Sequence, residues 1–150
     1  MPQSLAKILV HTVFSTKNRE DFIHPEIEDE LYRYIHGILD NKGSKLIIAN
    51  GTSNHILLLF SLGKPLGYSN LIGEIKRSTS LWIKDKSPVF RDFYWQEGYG
   101  IFSICQREIH VVSEYIRDQK EHHKKHDFKK EFRGLLNAYE VEFDERYVWD

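Results

Sequence analysis

The order of apolar segments along the chain is the sequence feature that most constrains its fold. Segments rich in β-branched and apolar residues alternate with segments whose apolar residues recur at helical spacing. This pattern predicts the order strand, helix, strand, strand, helix, strand, over residues 8–14, 26–39, 45–49, 55–62, 68–84 and 101–104. Such an order is typical of an α+β, ferredoxin-like fold, in which an antiparallel sheet carries helices on one face. The other face would then be available for a ligand or a second subunit.

Turn residues and helix signals mark the boundaries of these segments. Pro25 begins the first predicted helix, and residues 41–43, Asn-Lys-Gly, end it. Residues 50–54, Asn-Gly-Thr-Ser-Asn, have the composition of a hairpin turn between two strands. After the last strand, a stretch of strong helix formers starts at Gln106 and bears Tyr115. We expect this helix to be appended to the ferredoxin-like core.

Composition predicts a single domain over residues 1–150. A chain of 150 residues with 41% hydrophobic content can bury one core, and no Pro/Gly/Ser-rich linker divides it. No apolar run approaches the roughly 20 residues that span a bilayer, and the N-terminus lacks a signal-peptide pattern, so we expect a soluble, cytoplasmic protein. The lone Cys105 excludes an internal disulfide, and its apolar neighbours predict a buried strand position.

Polar residues of the predicted Tyr115 helix recur at intervals of four. Tyr115, Gln119 and His123 are each four positions apart, so they would form a polar stripe along one side of the helix. On its own, a tyrosine on an amphipathic helix is more often a packing residue with its hydroxyl at the rim. His55, at the start of a predicted strand, is likewise more often a hydrogen-bonded strand residue than a metal ligand.

A family resemblance changes this balance. The chain resembles the small single-tyrosine HUH transposases of simple bacterial insertion sequences, a group that includes the REP-associated tyrosine transposases. Residues 51–59, Gly-Thr-Ser-Asn-His-Ile-Leu-Leu-Leu, are similar to the segment that carries the His-hydrophobic-His motif of that family. Further similar stretches follow the same order as in the family and span nearly the whole chain; they are residues 11–19, 95–100, 115–123 and 144–150.

The resemblance implies an activity and a site. Such enzymes bind a hairpin of single-stranded DNA, cut it with a tyrosine, and hold the 5′ phosphate as a phosphotyrosine while a 3′ hydroxyl is freed. By position, Tyr115 is the implied nucleophile, and His55 and Gln119 match two ligands of the divalent cation, Mg²⁺ or Mn²⁺, that polarises the scissile phosphate. The resemblance also implies a homodimer joined at strand edges, with Tyr115 acting in cis or in trans.

Leu57 departs from the family pattern. Residues two apart in a strand face the same side, so the motif should point two imidazoles at one ion, but the second position here is Leu57. Under one explanation, water, a phosphate oxygen, His122 or His123 completes the coordination, since Mg²⁺ needs few protein ligands. Under the other, the chain is a decayed copy that still folds and binds hairpins. The substitution predicts impaired cleavage.

Charge confines any nucleic-acid site to a local surface. The net charge is −1 with the histidines neutral, which argues against charge-driven coating of duplex DNA. We predict phosphate contacts at Lys17, Arg19, Lys76 and Arg77. Three function classes remain: a DNA strand transferase, a catalytically silent hairpin-binding relative, and an RNA-binding ferredoxin-like module. The third is disfavoured because the RNP-type aromatic pattern is missing.

Overall fold

The sheet has four antiparallel strands. A computed structural model describes residues 2–64 and 67–150 of the chain. The strands are β1 (Leu9–Ser15), β2 (Lys45–Thr52), β3 (His55–Ser61) and β4 (Gly100–Ile104), in the spatial order β2-β3-β1-β4. Helix α1 (Pro25–Asn41) connects β1 to β2, and α2 (Tyr68–Lys86) connects β3 to β4. The predicted α+β, ferredoxin-like class is confirmed.

Helices lie on both faces of the sheet rather than on one. Helices α1 and α2 pack on one face, where Phe14, Phe60 and their neighbours form a core. Three further helices follow β4: α3 (Ile109–Arg117), α4 (Gln119–His122) and α5 (Phe128–Ala138). They contribute to a second core on the opposite face, in which Leu57 packs in one cluster with Phe132. The expectation that this face would be free is therefore wrong.

The composition of β3 explains the second core. Six consecutive residues of this strand, from His55 to Phe60, are buried, although alternate side chains point to opposite faces. A strand that is apolar on both faces needs cover on both, as in sheets sandwiched between helical layers. Leu57 and Leu59 face α3 and α5, whereas Ile56, Leu58 and Phe60 face α1 and α2.

The β2–β3 hairpin is tighter than its composition predicts. Both strands extend to the pair Thr52 and His55, which leaves only Ser53 and Asn54 in the turn. Gly51 permits the close approach of the two strands, because a Cβ atom at this position would lie 2.1 Å from the carbonyl oxygen of His55. The tight turn fixes where His55 enters the sheet.

Two expectations made outside the sheet have different outcomes. Cys105 was expected to be a buried strand residue, but it lies just beyond the end of β4 and is exposed. The expectation is wrong because the strand ends one residue earlier, where a single 3₁₀ turn begins. Among the described residues, no helix is both long and apolar enough to cross a membrane.

Candidate active site

The predicted polar stripe of Tyr115, Gln119 and His123 is present, although the helix that carries it is interrupted. A continuous helix was predicted through Tyr115 and Gln119, but α3 ends at Arg117 and α4 begins at Gln119, with Asp118 at φ −91° and ψ 16° between them. The deviation from helical geometry is small. The amide of Asp118 still donates to the carbonyl of Glu114 at 3.0 Å, and the amide of His123 to that of Gln119 at 3.0 Å. Tyr115, Gln119 and His123 therefore remain on one side.

Glu131 of α5 is the centre on which these side chains converge. Its Oε2 atom accepts hydrogen bonds from the hydroxyl of Tyr115 and from Nε2 of Gln119, the latter at 2.8 Å. Its Oε1 atom lies 3.0 Å from Nε2 of His123 and 3.4 Å from Nε2 of His55. The carboxylate is 4% exposed and the His55 side chain is fully buried. One carboxylate thus links the tyrosine to the two histidines.

Burial and hydrogen bonding set the ionisation of this cluster. Burial raises the pKa of Glu131, but its contacts with His123, His55 and Tyr115 outweigh this effect and hold the pKa well below its ordinary value. Burial, reinforced by the negative charge of Glu131, raises the pKa of Tyr115 far above its ordinary value. The cluster therefore contains an ionised carboxylate and a protonated phenol in the absence of a ligand.

Contacts at Nδ1, on the side of the ring away from the cluster, fix the orientation of His55. Its Nδ1 atom lies 2.8 Å from Oδ1 of Asn54 and 2.9 Å from Oγ1 of Thr52. Nδ2 of Asn54 donates to the carbonyl of Arg19, so Oδ1 is the atom that faces the imidazole. Nδ1 of His55 therefore carries the proton and donates it, which turns Nε2 toward the cluster, as in histidines that bind metals.

Nε2 of His55 faces acceptor atoms only. The Oε1 atom of Gln119 is 3.1 Å away, and this amide orientation is set by the hydrogen bond that its Nε2 atom donates to Glu131. Oε1 of Glu131 is the other neighbour. Such a convergence of lone pairs needs a positive charge, either a second proton on His55 or a cation. The ligand atoms of His55, His123 and Glu131 lie within 4.8 Å of one another.

The family comparison agrees with this geometry. Residues 4–119 match the family model described as IS200-like transposase. The chain belongs to this family. A putative transposase from Deinococcus radiodurans R1 shares the fold, with a TM-score of 0.61 at 17% identity over 79% of this chain and 98% of that one. The same holds for a REP-associated tyrosine transposase bound to a REP hairpin, with a TM-score of 0.62 at 14% identity over 82% of this chain and 73% of that one. No curated protein sequence matches the chain.

Membership identifies the chain as a transposase and locates the departure from the motif. Leu57 of this transposase is fully buried and belongs to the apolar cluster between the sheet and α5. It offers no ligand atom, and it points away from solvent. His122, one of the residues predicted to complete the metal site, instead places its ring 5.0 Å from that of Tyr115. Of the two candidate histidines, His123 is the one that lies beside His55, with ring centroids 4.3 Å apart.

Glu131 is the site residue that sequence reasoning missed. It lies on the buried side of α5, three residues after Phe128 and one before Phe132, both of which are almost fully buried. A carboxylate in the apolar stripe of an amphipathic helix is rarely found unless it is paired. That position was the available signal, but the partners of Glu131 lie 8 to 76 residues away in sequence, from His123 to His55.

His11 is a second buried histidine on the same face. Its ring lies 6.3 Å from that of Tyr115, and its Nε2 atom has no hydrogen-bond partner within the part of the chain that the structure describes. Burial lowers its pKa to about 4, against the opposing effect of Glu131. His11 is therefore neutral at physiological pH and packs beneath the tyrosine.

The four basic residues predicted to bind phosphate separate into two groups. Lys17 and Arg19 lie on the turn after β1, which borders the site because the Arg19 carbonyl contacts Asn54. Lys76 and Arg77 lie on α2, on the other face of the sheet. The ammonium of Lys76 donates to the carbonyls of residues 96, 97 and 98, and burial lowers its pKa to about 8. Arg77 is paired with Glu74.

Proposed function

We propose that this transposase cleaves and rejoins single-stranded hairpin DNA through a covalent bond to Tyr115. The arrangement of Tyr115, Gln119 and His55 around one carboxylate, within one chain, is the observation that carries the proposal. Side chains with these identities are the ones that the family resemblance assigns to the nucleophile and to two metal ligands. Their convergence within one chain supports a site in which Tyr115 acts in cis.

The proposed reaction is a reversible transesterification. The phenolic oxygen of Tyr115 attacks the scissile phosphorus, a new O–P bond forms, and the bond to the 3′ oxygen breaks. Glu131, which accepts the phenolic hydrogen bond at Oε2, orients the phenol and relays its proton toward the leaving 3′ oxygen. Attack by a 3′ hydroxyl reverses the step and rejoins strands without an external energy source.

A divalent cation, Mg²⁺ or Mn²⁺, would polarise the scissile phosphate and offset its charge in the transition state. The chain's own donors fit such an ion, because imidazole nitrogen and amide oxygen atoms of His55 and Gln119 face one another at 3.1 Å. His55 is preset for binding by the hydrogen bond from Nδ1 to Asn54.

The surface around Tyr115 has the chemistry of a DNA strand site. A cavity of about 330 Å³ opens beside the tyrosine, and its walls include His122, His126 and Lys130. The Lys17–Arg19 turn borders Asn54, the residue before His55, and Lys17 is exposed. We therefore place the DNA surface on this side of the sheet, without Lys76 and Arg77. The hairpin as ligand is supported by the REP hairpin bound to the structurally similar transposase.

An adduct assay with Tyr115→Phe tests the proposal. The substrates are single-stranded hairpins from the DNA flanking the gene, incubated with Mg²⁺ or Mn²⁺ and resolved on a denaturing gel. We expect a covalent adduct with the wild type and complete loss of it with Tyr115→Phe, because phenylalanine cannot attack phosphorus, while hairpin binding is preserved. Tyr147→Phe, at an exposed tyrosine, is the matched control and should form the adduct. An adduct that persists in Tyr115→Phe contradicts the proposal.

A catalytically silent hairpin-binding protein is the second candidate. The burial of Leu57 favours it, since the second histidine of the motif has been replaced by a core residue. The same assay separates the two functions. A wild-type protein that binds the hairpins but forms no adduct with any divalent cation supports the silent alternative.

A homodimer completes the proposal. The edge strands of the sheet are β2 and β4, and their outer backbone groups can pair with a second copy. Sedimentation equilibrium of the purified chain measures the association. A mass of one chain at all concentrations would contradict the dimer but not the cis arrangement of Tyr115 and His55.

A further inference from the structure

The metal ligand that is missing at Leu57 is matched by additional donor atoms on the other side of the site. Leu57 removes one nitrogen donor from the strand, whereas His123, directly after α4, and Glu131 of α5 bring one nitrogen and one carboxylate donor to His55. We propose that His55, His123 and Glu131, with the amide oxygen of Gln119, form a divalent-cation site that replaces the His-hydrophobic-His centre.

The donor separations match those around a single ion. At metal–ligand distances of about 2.1 Å, adjacent donors lie about 3.0 to 3.4 Å apart and opposite donors about 4.2 Å apart. Oε1 of Glu131 lies 3.0 Å from His123 and 3.4 Å from His55, and Gln119 Oε1 lies 3.1 Å from His55. The donors come from one strand and two helical segments, α4 with the residue that ends it and α5, and these separations fit coordination of one ion.

The charge balance of the cluster favours a cation at this point. The Glu131 side chain is almost fully buried, and its hydrogen-bond partners among residues 2–64 and 67–150 include no Lys or Arg. A positive charge beside a buried carboxylate stabilises its ionised form. A divalent ion between Oε1 of Glu131 and the two imidazoles would supply that positive charge. It would also bind the lone pair of His55 Nε2, which otherwise faces the oxygen lone pairs of Gln119 and Glu131.

The two oxygens of Glu131 divide its contacts. Oε1 faces the histidines, whereas Oε2 accepts from Tyr115 and Gln119. An ion bound at Oε1 can therefore coexist with the hydrogen bond that holds the phenol at Oε2. Glu131 is at once a ligand and the positioning residue for the tyrosine, and this role for the ion depends on the proposed function.

The ligand set also predicts which cation is preferred. Two imidazoles and one carboxylate suit Mn²⁺, Co²⁺ and Zn²⁺, whereas Mg²⁺ prefers oxygen ligands and retains its waters. We expect Mn²⁺ to bind at least tenfold more tightly than Mg²⁺. A site made only of His55, Gln119 and water would not show this difference to the same extent.

Metal titration of the full chain without DNA tests the proposal. Binding of Co²⁺ is followed by its visible absorption and binding of Mn²⁺ by calorimetry, for the wild type, His123→Ala and Glu131→Gln. We expect one ion per chain in the wild type and at least a tenfold loss of affinity in either variant. His110→Ala, at an exposed histidine that is not in the cluster, is the matched control and should bind as the wild type does. Wild-type affinity in both cluster variants, or no binding by the wild type, overturns the proposal.

A second measurement does not depend on the variants folding. Mn²⁺ added to the wild type should broaden the imidazole signals of His55 and His123 in nuclear magnetic resonance spectra, before those of the exposed His36 and His110. Broadening of the exposed histidines first would contradict the site. If the protein binds metal but forms no DNA adduct, the cation site is supported and the strand-transfer function is contradicted. If the wild type forms an adduct but His123→Ala binds metal with unaltered affinity, the strand-transfer function is supported and the cation site is contradicted.

Discussion

Replacing Glu131 with alanine is expected to lower the free energy of unfolding by about 3–5 kcal/mol near neutral pH, measured in chelator to exclude bound metal. The carboxylate is the acceptor for the Tyr115 hydroxyl and the Gln119 amide, and it neighbours two buried imidazoles. Its removal leaves these polar groups buried without a partner, and each such group costs about 1–3 kcal/mol. The loss should therefore exceed that of an ordinary surface carboxylate.

Urea denaturation followed by circular dichroism measures this effect. Glu121→Ala is the matched control, because Glu121 is also a helical glutamate with a basic partner, Lys124, but both side chains are exposed. Exposed pairs of this kind contribute little to stability. Equal midpoints for the two variants would show that the cluster around Glu131 does not hold α5 to the sheet.

The stability that Glu131 contributes should depend on pH in one direction. Its folded-state pKa is held below the ordinary value of 4.5, so the contribution is complete above about pH 4.5 and is lost as the pH falls through the folded pKa. The wild type should therefore lose stability below this pH more steeply than Glu131→Gln. Surface carboxylates with lowered pKa, such as Glu30 and Asp144, are shared by both proteins and cancel in the comparison.

Much of the fold follows from local pattern, and the exceptions have identifiable causes. The helical spacing after Pro25 and the hairpin composition around Gly51 predict α1 and the β2–β3 pair within a few residues. The unbroken apolar run of β3 indicates burial on both sides of the sheet, but the order of segments does not predict the helices that cover the second face.

The candidate site was predictable only in part. Spacing by four places Tyr115, Gln119 and His123 on one side, and the geometry preserves this despite the break at Asp118. Glu131 follows a separate turn and reaches the cluster only because α5 folds back over the sheet. Such a contact depends on tertiary packing, which a single sequence does not encode in its local periodicity. The roles of these residues in catalysis and metal binding stay predictions.

Leu57→Ala is expected to lower the free energy of unfolding by about 2–5 kcal/mol, because truncation of a fully buried leucine leaves a cavity that its neighbours fill incompletely. Leu57 pairs with Val13 of β1 in the sheet and belongs to the cluster that seats α5. Leu81→Ala, at an exposed leucine of α2, is the matched control and should change stability little. Chemical denaturation of both variants gives the comparison.

The outcome at position 57 bears on how this transposase differs from the family motif. A large loss in Leu57→Ala means that the motif position has been taken over by the core, so that an imidazole there would have to be buried among apolar side chains at a cost of its own. The cation donors would then have to come from the other side of His55, where His123 and Glu131 lie. A loss no greater than that of Leu81→Ala would instead indicate a loosely packed position, able to accept the missing histidine.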